Sequence, residues 1–114
     1  MPITEAYTGA TTISTNLFSL PNTSTTLTPI TVDGVYQVFI DFSAMTTTEQ
    51  YEVTILERVQ SASTQLEVYT SVVTGTSAPM WVSPTLILLH GWDVRVQLIA
   101  GTGRVVRWSI RQVA

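Results

Sequence analysis

The chain has 114 residues, 45% of them hydrophobic and only 11% charged, with a formal net charge of −3. That length suits one domain with a single core, and the absence of cysteine excludes disulfides, thiolate metal sites and a Cys nucleophile. An acidic chain whose five basic residues are all arginine is a poor binder of phosphate backbones, and no apolar run approaches a membrane span, so neither a nucleic-acid nor a membrane partner is expected.

Residues Met1 to Thr12 carry no clear period and read as an extended N-terminal arm or a ragged first strand, leaving 13–114 as one β-sandwich domain. Neither basic residues nor an apolar run marks this end, so no secretory signal is expected. Ile13 to Leu20 reads as a weak strand ending at Pro21-Asn22. Thr23 to Thr31, with Pro29, reads as an edge strand, because proline cannot donate to a central ladder. Asp33-Gly34 is a tight turn. Tyr36, Val38, Ile40 and Phe42 then alternate with Gln37, Phe39 and Asp41, a clear strand.

Tyr51 to Gln60 and Gln65 to Thr74 read as a hairpin around Ser61–Thr64. That loop pairs Val59 with Leu66, Ile55 with Thr70 and Val53 with Val72; on the other face it pairs Arg58 with Glu67 and Leu56 with Tyr69. The opposite-charge pair supports the register modestly. Gly75 to Pro79 reads as a turn. Met80 to Val82 and Leu86 to Leu89 form a strand interrupted at Ser83-Pro84, and His90-Gly91 turns into the last segment.

In that last segment Trp92, Val94, Val96, Leu98 and Ala100 alternate with Asp93, Arg95 and Gln97, and Val106, Trp108 and Ile110 alternate with Arg107, Ser109 and Arg111. A hairpin turning at Gly101-Thr102-Gly103 sets Leu98 opposite Val106, Val96 opposite Trp108 and Val94 opposite Ile110, with every large apolar side chain on one face. The count is about eight short strands, which makes the chain all-β, an antiparallel β-sandwich. Strand spacing alone leaves a jelly roll and an immunoglobulin-like sandwich both open, though no Cys…Trp…Cys pattern supports the latter.

No catalytic constellation stands out, so catalytic residues are read as none. The single histidine, His90, would need Ser83 or Asp93 as a partner, and it reads better as a turn residue. One histidine without cysteine, among scattered acids, does not make a metal site, and no cofactor is implied. Gly101-Thr102-Gly103 joins two strands with no following helix, so it is not a phosphate loop. Asn22-Thr23-Ser24 matches a glycosylation acceptor only by composition. Two groups are candidate partner-binding residues. Phe39, Leu56 and Tyr69 lie opposite the presumed core and make an apolar patch if their strands adjoin; otherwise they line the inner face of a second sheet. Arg95, Arg107 and Arg111 share the outer face of the last hairpin, with Asp93 across from Arg111, and suit an acidic protein surface through bidentate guanidinium contacts. Trp81 is either core or a platform for stacking a sugar.

The runs SLPNTSTTLTPITVDGVYQVFIDFS (19–43), PTLILLHGWDV (84–94) and RWSIRQVA (107–114) resemble small proteins encoded among the virion genes of tailed bacteriophages, most of all capsid cement (decoration) proteins. The resemblance implies a jelly roll without enzymatic activity: a structural virion protein, made in the host cytoplasm and located on the capsid exterior. Its implied partners are the major capsid protein and itself, as a homodimer or homotrimer stabilising capsomer junctions. The alternative is a carbohydrate- or receptor-binding sandwich of a phage tail or fibre, stacking ligand on Trp81 or Tyr69.

Overall fold

A computed structural model describes residues 2–75 and 79–113. Among them are nine strands: β1 (Ile3–Thr12), β2 (Phe18–Ser19), β3 (Gly34–Asp41), β4 (Gln50–Glu57), β5 (Leu66–Thr74), β6 (Met80–Val82), β7 (Leu86–Leu88), β8 (Asp93–Ala100) and β9 (Val105–Val113). One sheet runs β1-β9-β3-β6, with β7 also on β3; the other runs β2-β8-β4-β5. All pairings are antiparallel. Taking β6 and β7 as one interrupted strand, first pairs with last, second with seventh, third with sixth and fourth with fifth. That is a long hairpin rolled up on itself, a jelly roll.

Alternation drives the core. Tyr36, Val38 and Ile40 of β3, Tyr51, Val53 and Ile55 of β4, Val94 and Val96 of β8, and Val106 and Ile110 of β9 are all fully buried. Trp92 lies fully buried against Tyr36, with ring centroids 4.7 Å apart. Each flank of the sandwich is closed by an aromatic pair reaching across the two sheets: Phe18 with Trp108 at 5.6 Å, and Tyr69 with Trp81 at 5.9 Å. The break at Ser83 is bridged rather than open. Its N–H donates to Val38 O and its Oγ accepts the Val38 N–H, both at 2.9 Å, so the strand pairing skips a position without orphaning the backbone of β3.

The last segment departs from the expected hairpin. β8 pairs with β4 and β2, whereas β9 pairs with β1 and β3, so the chain crosses from one sheet to the other at 101–104. The expected apolar side chains do point inward, but they meet across the core instead of along one ladder. Parity names the buried side chains and cannot name the sheet they hang from. The crossing is stitched by side chains and by the neighbouring chain: the Arg104 N–H donates to the Tyr51 hydroxyl at 2.8 Å, and the Ile13 N–H donates to Arg104 O at 3.2 Å. Gly101, with φ +87°, supplies the left-handed turn.

Other expectations shift too. The β4–β5 hairpin forms one residue out of the expected register, pairing Ile55 with Tyr69 and Val53 with Ser71. The ladder then slips so that Leu56 faces Glu67, and the Arg58–Glu67 pair is not made. This register turns Tyr69, Ser71 and Val73 inward, where the Trp81 indole donates to Ser71 Oγ at 3.2 Å; burial of that aromatic pair outweighs one surface ion pair. The segment read as an extended arm or a ragged first strand is a ten-residue strand along β9, irregular at Ala6. Within Ile13–Leu20 only Phe18–Ser19 is strand, and 23–31 makes isolated bridges at Ser24 and Ile30 rather than an edge strand. The turn expected over 75–79 falls in part on 76–78, outside the described residues.

Candidate binding surface

Sheet membership divides both candidate groups. Phe39 stands on β3 in the first sheet, while Leu56 and Tyr69 stand on β4 and β5 in the second. Leu56 is buried and Tyr69 packs inward on Trp81, so the three make no common patch. Arg95 lies on β8, across the sandwich from Arg107 and Arg111 on β9. Asp93, expected opposite Arg111, is instead fully buried. It accepts from Ser19 Oγ at 2.6 Å and the Val94 N–H at 2.9 Å, and it ion-pairs with Arg95 Nε at 2.8 Å. Arg95 also donates to Gln65 Oε1 at 3.0 Å. Arg95 is therefore a clamp between strand and loop, not part of an arginine stripe.

The remaining three residues meet on the outer face of the first sheet. There the ladder lays residues out in rows across the strands. Val35 faces Val113, which faces Ile3 on one side, and Ile87 lies beyond Val35. The next row is Gln37, Arg111 and Glu5; then Val82, Phe39, Ser109 and Thr8; then Met80, Asp41, Arg107 and Ala10. Arg111 leans over the Phe39 ring, its Cζ 3.9 Å from the centroid, a cation–π contact. Phe39, Asp41, Met80, Arg107, Ser109 and Arg111 line a shallow cup of about 180 Å³.

The charges on this face are balanced but not clamped. Asp41 accepts the Ser43 N–H at 2.8 Å, and hydrogen bonding from Ser43, with a smaller contribution from Arg107, holds its carboxyl below the usual carboxylate range. Glu5 accepts from Ser109 Oγ at 2.5 Å. Among the described residues the ion pairs within 4 Å are Arg95–Asp93 and Arg104–Glu49, and neither Arg107 nor Arg111 is in one. Ile87 and Ile3 are 82% and 66% exposed, Met80 57% and Val82 43%. The face thus interleaves exposed apolar side chains with two arginines and two carboxylates.

The residues weighed for chemistry are occupied elsewhere. Ser83 donates its hydroxyl to Pro84 O at 2.7 Å, and both Asp93 oxygens are engaged, so neither serves His90. The His90 N–H donates to the Glu57 carboxylate, as a turn residue should. No three His, Cys, Asp or Glu residues gather into a metal-holding group among the described residues. Asn22 spends its side-chain amide on Ser19 Oγ and Thr28 O. Trp81 is 9% exposed, Trp92 0% and Trp108 4%. Parity marked Arg107, Ser109, Arg111, Phe39 and Asp41 as outward; their joining, and the part played by Glu5, Met80 and Val82, followed only from strand order.

No family model matches the chain, and no curated protein does. Among solved structures it is similar to a xylan-binding domain from carbohydrate-binding module family 22, formally the x6b domain, at 14% identity and a TM-score of 0.42 over 86% of this chain and 64% of that one. It is similar to the C-terminal family 22 module of Clostridium thermocellum Xyn10B at 15% identity, TM-score 0.40, over 72% of this chain and 55% of that one. The N-terminal CBM22-1–GH10 part of the same organism's endo-1,4-beta-D-xylanase 10B, complexed with xylohexaose, matches at 12% identity, TM-score 0.43, over 73% of this chain and 18% of that one. The chain thus spans less than two thirds of the length of each.

Proposed function

We propose that this chain is a non-catalytic adhesion module that binds other protein surfaces through the outer face of the β1-β9-β3-β6 sheet. The observation that carries this reading is the face itself: Ile3, Ile87, Met80 and Val82 stand exposed around Phe39, with Arg107 and Arg111 outside any ion pair among the described residues. The resemblance of the sequence to virion proteins gives the setting, a decoration protein on the outside of a phage head. In that setting each copy binds the assembled shell and not the unfolded coat protein, so it stabilises the shell by mass action, and repetition on the lattice multiplies a modest single-site affinity. Mixing with expanded empty capsids tests it: the protein co-sediments at micromolar concentration, and Arg107→Glu folds normally but binds more weakly. Failure of the unaltered protein to co-sediment rejects the capsid setting.

A second reading, a carbohydrate-binding module, draws on one observation: the cup beside Phe39 sets an aromatic ring among Asp41, Arg107, Ser109 and Arg111, groups able to hydrogen-bond hydroxyls. The ring face is already covered by Arg111, and all three tryptophans are buried, Trp81 taking the core place weighed for it rather than that of a stacking platform. Binding to a glycan array that is lost in Phe39→Ala would favour this reading over the first.

A further inference from the structure

We infer that the occupant of this face is a second copy of the chain, packed face to face about a two-fold axis that runs parallel to the strands between β3 and β9. The inference rests on the reading of this face as the adhesive surface and assigns the face to the second copy, so that a capsid is met by the remaining surfaces of the dimer. Its support is a self-complementarity in the rows. Such an axis keeps each row at its own height and reverses it from left to right. The row Met80, Asp41, Arg107, Ala10 then lies on its own reverse. Arg107 of one copy meets Asp41 of the other, twice, and Met80 meets Ala10, a large side chain over a small one.

The other rows behave alike. Phe39 falls over Ser109, Val35 over Val113, Ile87 over Ile3, and Arg111 over the amide of Gln37. No arginine faces an arginine and no acid an acid. In two rows a large side chain of the β3 and β6 half, Phe39 or Met80, meets a small one of the β9 and β1 half, Ser109 or Ala10, as an isologous contact needs. Four strands about 4.8 Å apart and roughly 30 Å long present on the order of 550 Å² per copy. Two copies therefore cover on the order of 1,000 Å², enough for a specific interface. Stacked sheets align within about 30° of each other, so the match is best near the axis, where β3 and β9 lie.

The test is sedimentation velocity with charge exchange. The unaltered protein is expected at twice the 12.5 kDa chain mass at micromolar concentration. Arg107→Asp alone and Asp41→Arg alone each set like charges across the axis and weaken the dimer by roughly tenfold or more. An equimolar mixture of the two variants is expected to recover the dimer, because every cross-axis contact is then attractive although each chain still carries a like-charge pair on its own ladder. Ile87→Glu, at a highly exposed position, is expected to fold and remain monomeric. A monomeric unaltered protein, variants that dimerise undiminished, or a mixture that does not recover would overturn the inference. A monomer that still co-sediments with capsids would overturn the dimer and leave the adhesion reading standing; a dimer with no affinity for capsids would uphold this use of the face and reject only the capsid setting.

Discussion

β8 and β9 are neighbours in the chain, alternate in the same way and carry arginine on their outward faces, yet those arginines do different work. On β8, Arg95 is mostly covered and held by buried Asp93 and by Gln65. On β9, Arg107 and Arg111 are exposed and stand outside the ion pairs of the described residues, with Arg111 resting on Phe39. The difference comes from the sheets. β8 runs between β4 and the two-residue β2, which supplies Ser19, and the β4–β5 loop brings in Gln65, whereas β9 runs between β1 and β3, whose outward residues form an open face. An outward arginine is thus a clamp or a contact residue according to what its sheet lays beside it.

The largest effect is expected inside, where the two strands are alike. Trp108 is 4% exposed and packs on Phe18, and Gly9 leaves it room, since a Cβ there would lie 2.5 Å from its ring. Trp108→Ala should lower stability by about 3–5 kcal/mol in urea denaturation; a loss under about 1 kcal/mol would place it outside the core. Next comes the clamp. Asp93→Ala strands the Arg95 guanidinium and the Ser19 hydroxyl and should cost about 2–3 kcal/mol, read as a lower urea midpoint at unchanged slope.

A second clamp is visible through pH. Glu49 is buried between the β3–β4 and β8–β9 connections, where the Thr48 hydroxyl, the Thr46 N–H and Arg104 hold its carboxyl down from 4.5 to about 2. A depressed carboxylate contributes stability that is complete above its ordinary value and lost as pH falls through the folded one. The thermal midpoint should therefore drop on acidification from 4.5 towards 2, and Glu49→Gln should flatten that part of the profile. An equally steep profile in the variant would assign the acid sensitivity to other groups. The smallest effect belongs to the open face: Arg107→Ala should change stability by no more than about 0.5 kcal/mol. A loss as large as that of Arg95→Ala would erase the distinction between the two strands.

Much of the fold was legible in the residues. Alternation in Tyr36–Phe42, Trp92–Leu98 and Val106–Ile110 named the inward apolar side chains correctly, though Ala100 is exposed, because a two-residue period is a local property of extended chain. The same alternation could not say that β8 and β9 face each other across the core, because a hairpin and a crossing bury the same atoms. The site was legible in the same partial way. Phe39, Arg107 and Arg111 were picked out one by one as outward, but Leu56, Tyr69 and Arg95 were grouped with them although they belong to the other sheet.

By itself the sequence determined an all-β chain and the inward side of β3, β8 and β9, which follow from side chains near one another along the backbone. Only the tertiary structure decided which strands adjoin, that Asp93 is buried, and that Ile87, Val35, Val113 and Ile3 share one row. Those are matters of register between segments far apart in the chain, where the burial of whole faces, summed over both sheets, outweighs any local preference.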